Sequence, residues 1–443
     1  MPDAPQRFWT TSKLVCVFVG IPVIAWAVLG YLWYASSAKV EAELASLRAD
    51  GLPTNLDELA EFYVVPADVA NSTGTWVQVI DEFIAMDAGL VKEMESLPFV
   101  GEGPMPIPLP DDEWTQLGAA RTFLAKYERE LELARREAGS GGQARYPVDF
   151  SLGFEVPMPY AQNSRVVAKL LWLDAHVCLH DGNHSRTFDD LRAIFAVSDS
   201  IRGEPLLISQ LVRMANHAIG CYAVGAFLPQ CKWNDAELES LQSMVCSPQF
   251  KVESARALYG ERALCLAELD RMTLGPLRAT NKLVAIRYFQ LWLQGLESSW
   301  GGAINQIDTA QARLDAIAGN KLLRAKLHGA FAVLPLVDYF ILAGARAQAR
   351  QRCLNAALAV QRHRLMHGQL PGSPSEIDPQ LLGPATQMAD ALIDPFDGQP
   401  LRYQVQESQV IIYSVGSNGV DDGGDLQKGK NGDLIDIGFT VKK

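Results

Sequence analysis

The stretch that decides the fold is Val166–Ser200, V-V-A-K-L-L-W-L-D-A-H-V-C-L-H-D-G-N-H-S-R-T-F-D-D-L-R-A-I-F-A-V-S-D-S. Val166, Val167, Leu170, Leu171 and Leu173 fall on one stripe at helical spacing. Asp181-Gly182-Asn183 stops that helix. A second helix then carries Phe188, Leu191, Ile194, Phe195 and Val197, and ends near Gly203-Glu204-Pro205. A third follows with Leu207, Ile208, Leu211, Val212, Met214 and Ile219. Long helices with short polar breaks predict an antiparallel array over residues 147–350. Val166–Ser200 reads as one helical hairpin. No second copy recurs at fixed spacing, so a solenoid is not expected.

Outward toward the N-terminus, residues 36–146 read as a juxtamembrane helical region. Asn55–Phe62 forms a short helix, with Thr54 or Asn55 as cap and Glu58 as the capping-box partner. Residues 75–96 are amphipathic, residues 97–111 are a proline-rich loop, and a charged helix runs from Asp112 to Ala138. From Leu14 to Ala35 the chain is apolar, and a hydrocarbon core needs about 20 such residues. Trp26, Tyr31, Trp33 and Tyr34 gather toward one end, as in an interfacial belt. A transmembrane helix over residues 14–35 is expected. Residues 1–13 would be cytoplasmic, and the rest an ectodomain outside the cytoplasm of a bacterial inner membrane. The bilayer would then be a partner. A cleaved signal ending at Ser36-Ser37-Ala38 is the alternative, but its apolar core is typically shorter. The second apolar stretch, Gly329 to Ala345, contains Asp338 and reads as a buried helix.

The composition is 48% hydrophobic and 20% charged, which excludes a wholly disordered chain. The net charge of −12 argues against a nucleic-acid partner. Seven cysteines include no CxxC pair, so zinc and thioredoxin-type chemistry find no support. Buried free thiols are expected, with one or two disulfides as the alternative in an oxidising compartment.

Residues 351–443 change character. A helix over Cys353–His367 leads through glycine and proline to two strand-like runs, Leu401–Val405 and Gln409–Ser414. Gln406-Glu407-Ser408 is the hairpin turn between them. Leu434–Val441 closes the chain as a third strand. The strings H-G-Q-L-P, I-D-P-F-D-G-Q-P-L-R-Y, I-I-Y-S-V-G-S-N-G-V-D-D-G-G and D-L-I-D-I occur in that order. This order resembles the globular part of the major pseudopilins of type II secretion systems, over residues 352–440. The resemblance implies a calcium ion in the terminal loop, with Asn418, Asp433 and Asp436 as ligands. Asp421, Asp422 and Asp425 are further candidates. Hard cations take six to eight oxygens, and glycines let carbonyls turn inward. The loop does not match an EF-hand. A solvated acidic turn is the plainer alternative. The basic leader and the start of a pilin membrane helix are absent before Leu14. The whole layout also resembles membrane-anchored proteins of planctomycete-type bacteria, which supplies an architecture and no activity.

Other chemistry is weakly indicated. His176, His180 and His184 share helical spacing, but Gly182 interrupts the set. Gly424–Asn431 imitates a phosphate loop yet lacks its Ser or Thr. Asp111-Asp112 and Asp189-Asp190 suit helix starts. Arg346, Arg350, Arg352, Arg362 and Arg364 read as a solvated helix face, or as a contact for lipid head groups or an acidic partner. The expected fold is mainly α: a transmembrane helix, a large antiparallel helical ectodomain and a small C-terminal α+β module with a short antiparallel sheet. The expected function is a membrane-anchored envelope scaffold linked to secretion or envelope assembly through an envelope protein partner. An envelope hydrolase with its site among the helices is the alternative.

Overall fold

The computed structural model describes residues 21–86, 88–335, 337–383, 390–427 and 435–442. The first half contains α1 (Ile21–Ala49), α2 (Leu56–Phe62), α3 (Thr73–Asp81), α4 (Ala88–Glu95), α5 (Leu117–Leu124) and α6 (Glu128–Glu137). Its long helices follow as α7 (Pro159–His180), α8 (His184–Ser200) and α9 (Leu207–Phe227). Then come α10 (Asp235–Cys246), α11 (Phe250–Arg271), α12 (Arg278–Ser298), α13 (Trp300–Ile304), α14 (Ile307–Gly319), α15 (Lys321–Lys326), α16 (His328–Val333) and α17 (Val337–His367). The sheet has strands β1 (Arg402–Val405), β2 (Gln409–Ser414) and β3 (Ile437–Lys442), in that spatial order and antiparallel throughout.

Helices α7 and α8 form the expected hairpin. Asp181 caps one, and Asn183 caps the next by accepting the Arg186 amide at 3.2 Å. Gly182 makes the turn between them in the left-handed region, at φ 70°. Val167, Leu170, Leu171 and Leu173 face Leu191, Ile194, Phe195 and Val197 in one large core. Helix α2 begins at Asn55, whose Oδ1 accepts the Glu58 amide at 2.9 Å. The Glu58 carboxylate turns to the Thr54 amide at 2.8 Å instead of closing the box on Asn55. The charged helix expected over 112–138 is two helices, α5 and α6, joined by a 3₁₀ turn at Ala125–Tyr127. The stretch Gly329–Ala345 is likewise broken, at Pro335, between α16 and α17.

The membrane expectation is corrected. Among the described residues, no helix is long and apolar enough to cross a membrane. Residues 14–20 lie outside the described residues. Beyond Ala35, helix α1 carries Lys39, Glu41, Glu43 and Arg48. Its Val40 and Leu44, beyond the expected span, pack on Leu266, Ala279 and Ile286 of α11 and α12. The bilayer as a partner through residues 14–35, the signal anchor and the single-pass inner-membrane location lose their basis with that span.

Helix α17 is 31 residues long and continues through residues 350 and 351. Its first half packs in a second core with Phe289, Trp292 and Trp300. Its second half, Cys353–Val360, joins the core that α7, α8 and the sheet share through Val410, Ile412, Phe439 and Val441. Gly225 of α9 lets the sheet approach: a Cβ there would lie 2.7 Å from the Phe439 ring. The C-terminal strands are thus welded to the helical array.

Candidate functional site

The acidic loop hangs from Asp436, which lies just before β3 and is fully buried. Its Oδ2 accepts the Gly424 amide at 2.8 Å, and its own amide donates to the Asp425 carbonyl at 2.9 Å. Gly424 sits at φ 80°, which the loop needs to bring that amide inward. The second oxygen, Oδ1, is buried with no hydrogen bond within 3.5 Å among the described residues. Burial pushes the Asp436 carboxyl above its ordinary range, the Gly424 and Asp422 amides oppose this, and the Asp422 and Asp421 carboxylates push it further up.

The other expected ligands are engaged differently. Asn418 Oδ1 accepts the Val420 amide at 3.0 Å, and its Nδ2 donates to Asp422 at 2.8 Å. Asp421 accepts from the Tyr413 hydroxyl and from the Gly423 amide, both at 3.0 Å. Asp425 accepts the Gln427 amide at 2.9 Å. Asp433 lies outside the described residues, as does the second half, 428–431, of the phosphate-loop look-alike. The residues in place suit a hard cation in donor chemistry: one buried carboxylate with a spare oxygen, beside three more carboxylates on glycine-rich backbone.

Sequence reasoning missed Asp394, in the D-P-F-D-G string. It is fully buried and ties the turn to the end of β2. Its oxygens accept from the Ser414 hydroxyl at 2.8 Å and the Val415 amide at 2.9 Å, and Arg402 pairs with it at 3.3 Å. That string therefore has a structural role here, as an Asx-type turn anchored to the sheet.

The three histidines do not converge. His176 is buried against Phe99 and Phe227, and burial holds it neutral, down to about 3. His180 bonds the Pro108 carbonyl at 3.0 Å, and His184 bonds Glu237 at 3.1 Å. A metal-like grouping occurs elsewhere, where Asp174, Cys178 and Asp190 bring ligand atoms within 4.8 Å of one another. Cations already serve it. Arg135 of α6 bonds Asp190 at 2.6 Å and also pairs with Asp174, and Arg186 reaches Asp174 at 3.3 Å and Glu128 at 2.6 Å. Burial lifts the Cys178 thiol, keeping it protonated. The grouping is an ion-pair knot joining α6, α7 and α8. Asp190, expected to serve a helix dipole, is instead the buried centre of that knot.

Cys221 and His217 stand 3.5 Å apart, with His217 Nε2 on the Val245 carbonyl at 3.0 Å. This geometry suits a nucleophile and base, but its electrostatics run the other way. Burial pushes the Cys221 thiol up to about 12 and the His217 imidazole down to about 4. Both side chains are buried. The six described cysteines are all free thiols.

The arginine row on α17 is mostly spent on internal contacts. Arg362 pairs with Asp235 at 2.7 Å, Arg364 donates to the Lys442 carbonyl at 2.6 Å, and Arg352 to the Ile393 carbonyl at 2.6 Å. Arg346 reaches Ser417 at 3.1 Å, and Arg350 lies over the Tyr222 ring.

No protein-family model, no curated protein and no solved structure matches this chain. The expected likeness to pseudopilins and the link to secretion thus find no support in these comparisons.

Proposed function

We propose that this protein is a non-catalytic binding scaffold, in which a rigid helical array presents an ion-stiffened C-terminal loop to a protein partner. The observation that carries the reading is Asp436: a buried carboxylate whose second oxygen has no hydrogen-bond partner among the described residues, facing a loop rich in like charge. A calcium ion bound by Asp436 and its acidic neighbours would offset that repulsion and hold the loop in one shape. The exposed tip, Ser417–Asp422, would be the contact surface. The Cys221–His217 pair, protonated at sulfur and neutral at imidazole, weighs against the hydrolase alternative.

The test is a thermal melt of the full chain in millimolar calcium and in chelator. An ion bound only by the native state raises the melting temperature. The expected result is a calcium-dependent rise that Asp436→Asn abolishes. No rise, together with no heat of binding in a calcium titration, would reduce the loop to an acidic turn and remove the ion from the reading.

A further inference from the structure

Two adjoining cavities of about 410 and 450 Å³ open between α9 and α17 and share Ile208, Leu211 and Tyr339 as common walls. Ile208 and Tyr339 are 46% and 62% exposed, large apolar groups left facing solvent. The first cavity is walled largely by apolar side chains, Phe154, Leu264 and Phe340 among them. Its acid is Glu261, whose carboxyl accepts the Leu207 amide at the start of α9 and is pushed up to about 7 by burial.

The second cavity has a different polar complement. It is lined by Arg165 of α7 and by Arg346 and Arg350 of α17, with no acidic residue among its walls. Arg346 and Arg350 stand one helical turn apart on the same face. Neither Arg165 nor Arg350 forms an ion pair among the described residues, and the Nε of Arg350 is buried without a hydrogen-bond partner. Lys169, one turn beyond Arg165, is held below its ordinary range by burial and by the Arg165 charge. Positive charge is therefore concentrated at one end of an apolar groove on a protein that is acidic overall.

We infer that this groove binds a single-chain amphiphile with a carboxylate head, a long-chain fatty carboxylate. Its head would lie between Arg165 and Arg350, and its chain along Ile208, Leu211 and Tyr339 toward Phe340. Two features argue for this occupant. A carboxylate offers two oxygens that match guanidinium forks bidentately. An alkyl chain covers apolar wall that is left facing solvent, which favours binding in proportion to the apolar area buried. The inference is independent of the ion site at Asp436.

The test is calorimetric titration of the full chain with dodecanoate, below its micelle concentration. Dodecyltrimethylammonium supplies the same chain with the opposite charge, and acetate the head without the chain. Saturable binding of one dodecanoate is expected, with none of either control. Arg165→Glu, on an exposed side chain, should weaken binding at least tenfold while leaving the melting temperature unchanged. Ile208→Asp should weaken it comparably by charging the groove wall. Equal binding of the cationic amphiphile, no dodecanoate binding, or an Arg165→Glu variant with full affinity would each overturn the inference.

Discussion

Replacing Arg135 with methionine tests the ion-pair knot directly. Arg135, Asp174 and Asp190 are all buried. The guanidinium bonds Asp190 at 2.6 Å, and a second edge holds Asp174. Methionine approximates the volume of the stem but removes the cation. Two carboxylates then remain in the interior, with Arg186 at 3.3 Å from Asp174 as their remaining cation among the described residues. Breaking a buried pair by deleting one partner costs about 3–5 kcal/mol. Asp190 is already held well above the ordinary carboxylate range, by burial first and by Asp174 second. The deficit of the variant should therefore shrink as pH falls and the stranded carboxylates take up protons. The double variant Arg135→Met/Asp190→Asn should recover at least ~1 kcal/mol, because the second change removes a stranded charge. Urea unfolding followed by tryptophan fluorescence at pH 7 measures both. A cost for Arg135→Met below ~1 kcal/mol, the scale of an exposed pair, would refute the reasoning.

Glu204 offers a cleaner pH dependence. It is fully buried beside Ser209 and Tyr63, and burial raises it from 4.5 to about 7. A carboxyl raised by folding destabilises as pH climbs from the unfolded value through the folded one. Glu204→Gln should thus gain stability relative to the parent between pH 4.5 and 8, by on the order of 3 kcal/mol at most; a pH-independent difference in urea midpoints would contradict this. Gly344→Ala should destabilise by about 1–3 kcal/mol, because the new Cβ would stand 2.2 Å from the buried Trp300 indole; a thermal melt of that variant decides it. Asn55→Ala should cost about 1 kcal/mol and speed amide exchange in α2, since Asn55 caps the Glu58 amide; unchanged exchange there would show that packing of Leu59 alone holds the helix.

Much of the architecture was legible in local sequence. The α7–α8 hairpin follows from two apolar stripes and the Asp181-Gly182-Asn183 stop. The β1–β2 hairpin follows from two short strand-like runs around Gln406–Ser408, with Gln406 donating to Gln409 at 2.8 Å. These signals are local because periodicity, caps and turns involve residues a few positions apart. The membrane expectation rested on the composition of one apolar run, which does not report the length and apolarity of the helix that forms: among the described residues none is long and apolar enough to cross.

The candidate sites were far less legible. Asn418, Asp421, Asp422 and Asp425 are visible as an acidic loop, but the burial of Asp436 and its spare oxygen depend on how β3 docks. Asp174, Asp190 and Arg135 lie on three helices, and only their packing turns ordinary surface residue types into a buried knot. Arg165 and Arg350 are nearly half the chain apart in sequence, yet they line one cavity. The sequence by itself determined where helices start, stop and turn apolar faces inward, because those choices are made by neighbours along the chain. The tertiary structure decided which charges meet, which lose water and which stay unpaired, because desolvation and Coulomb energy depend on distances between elements that no local pattern encodes.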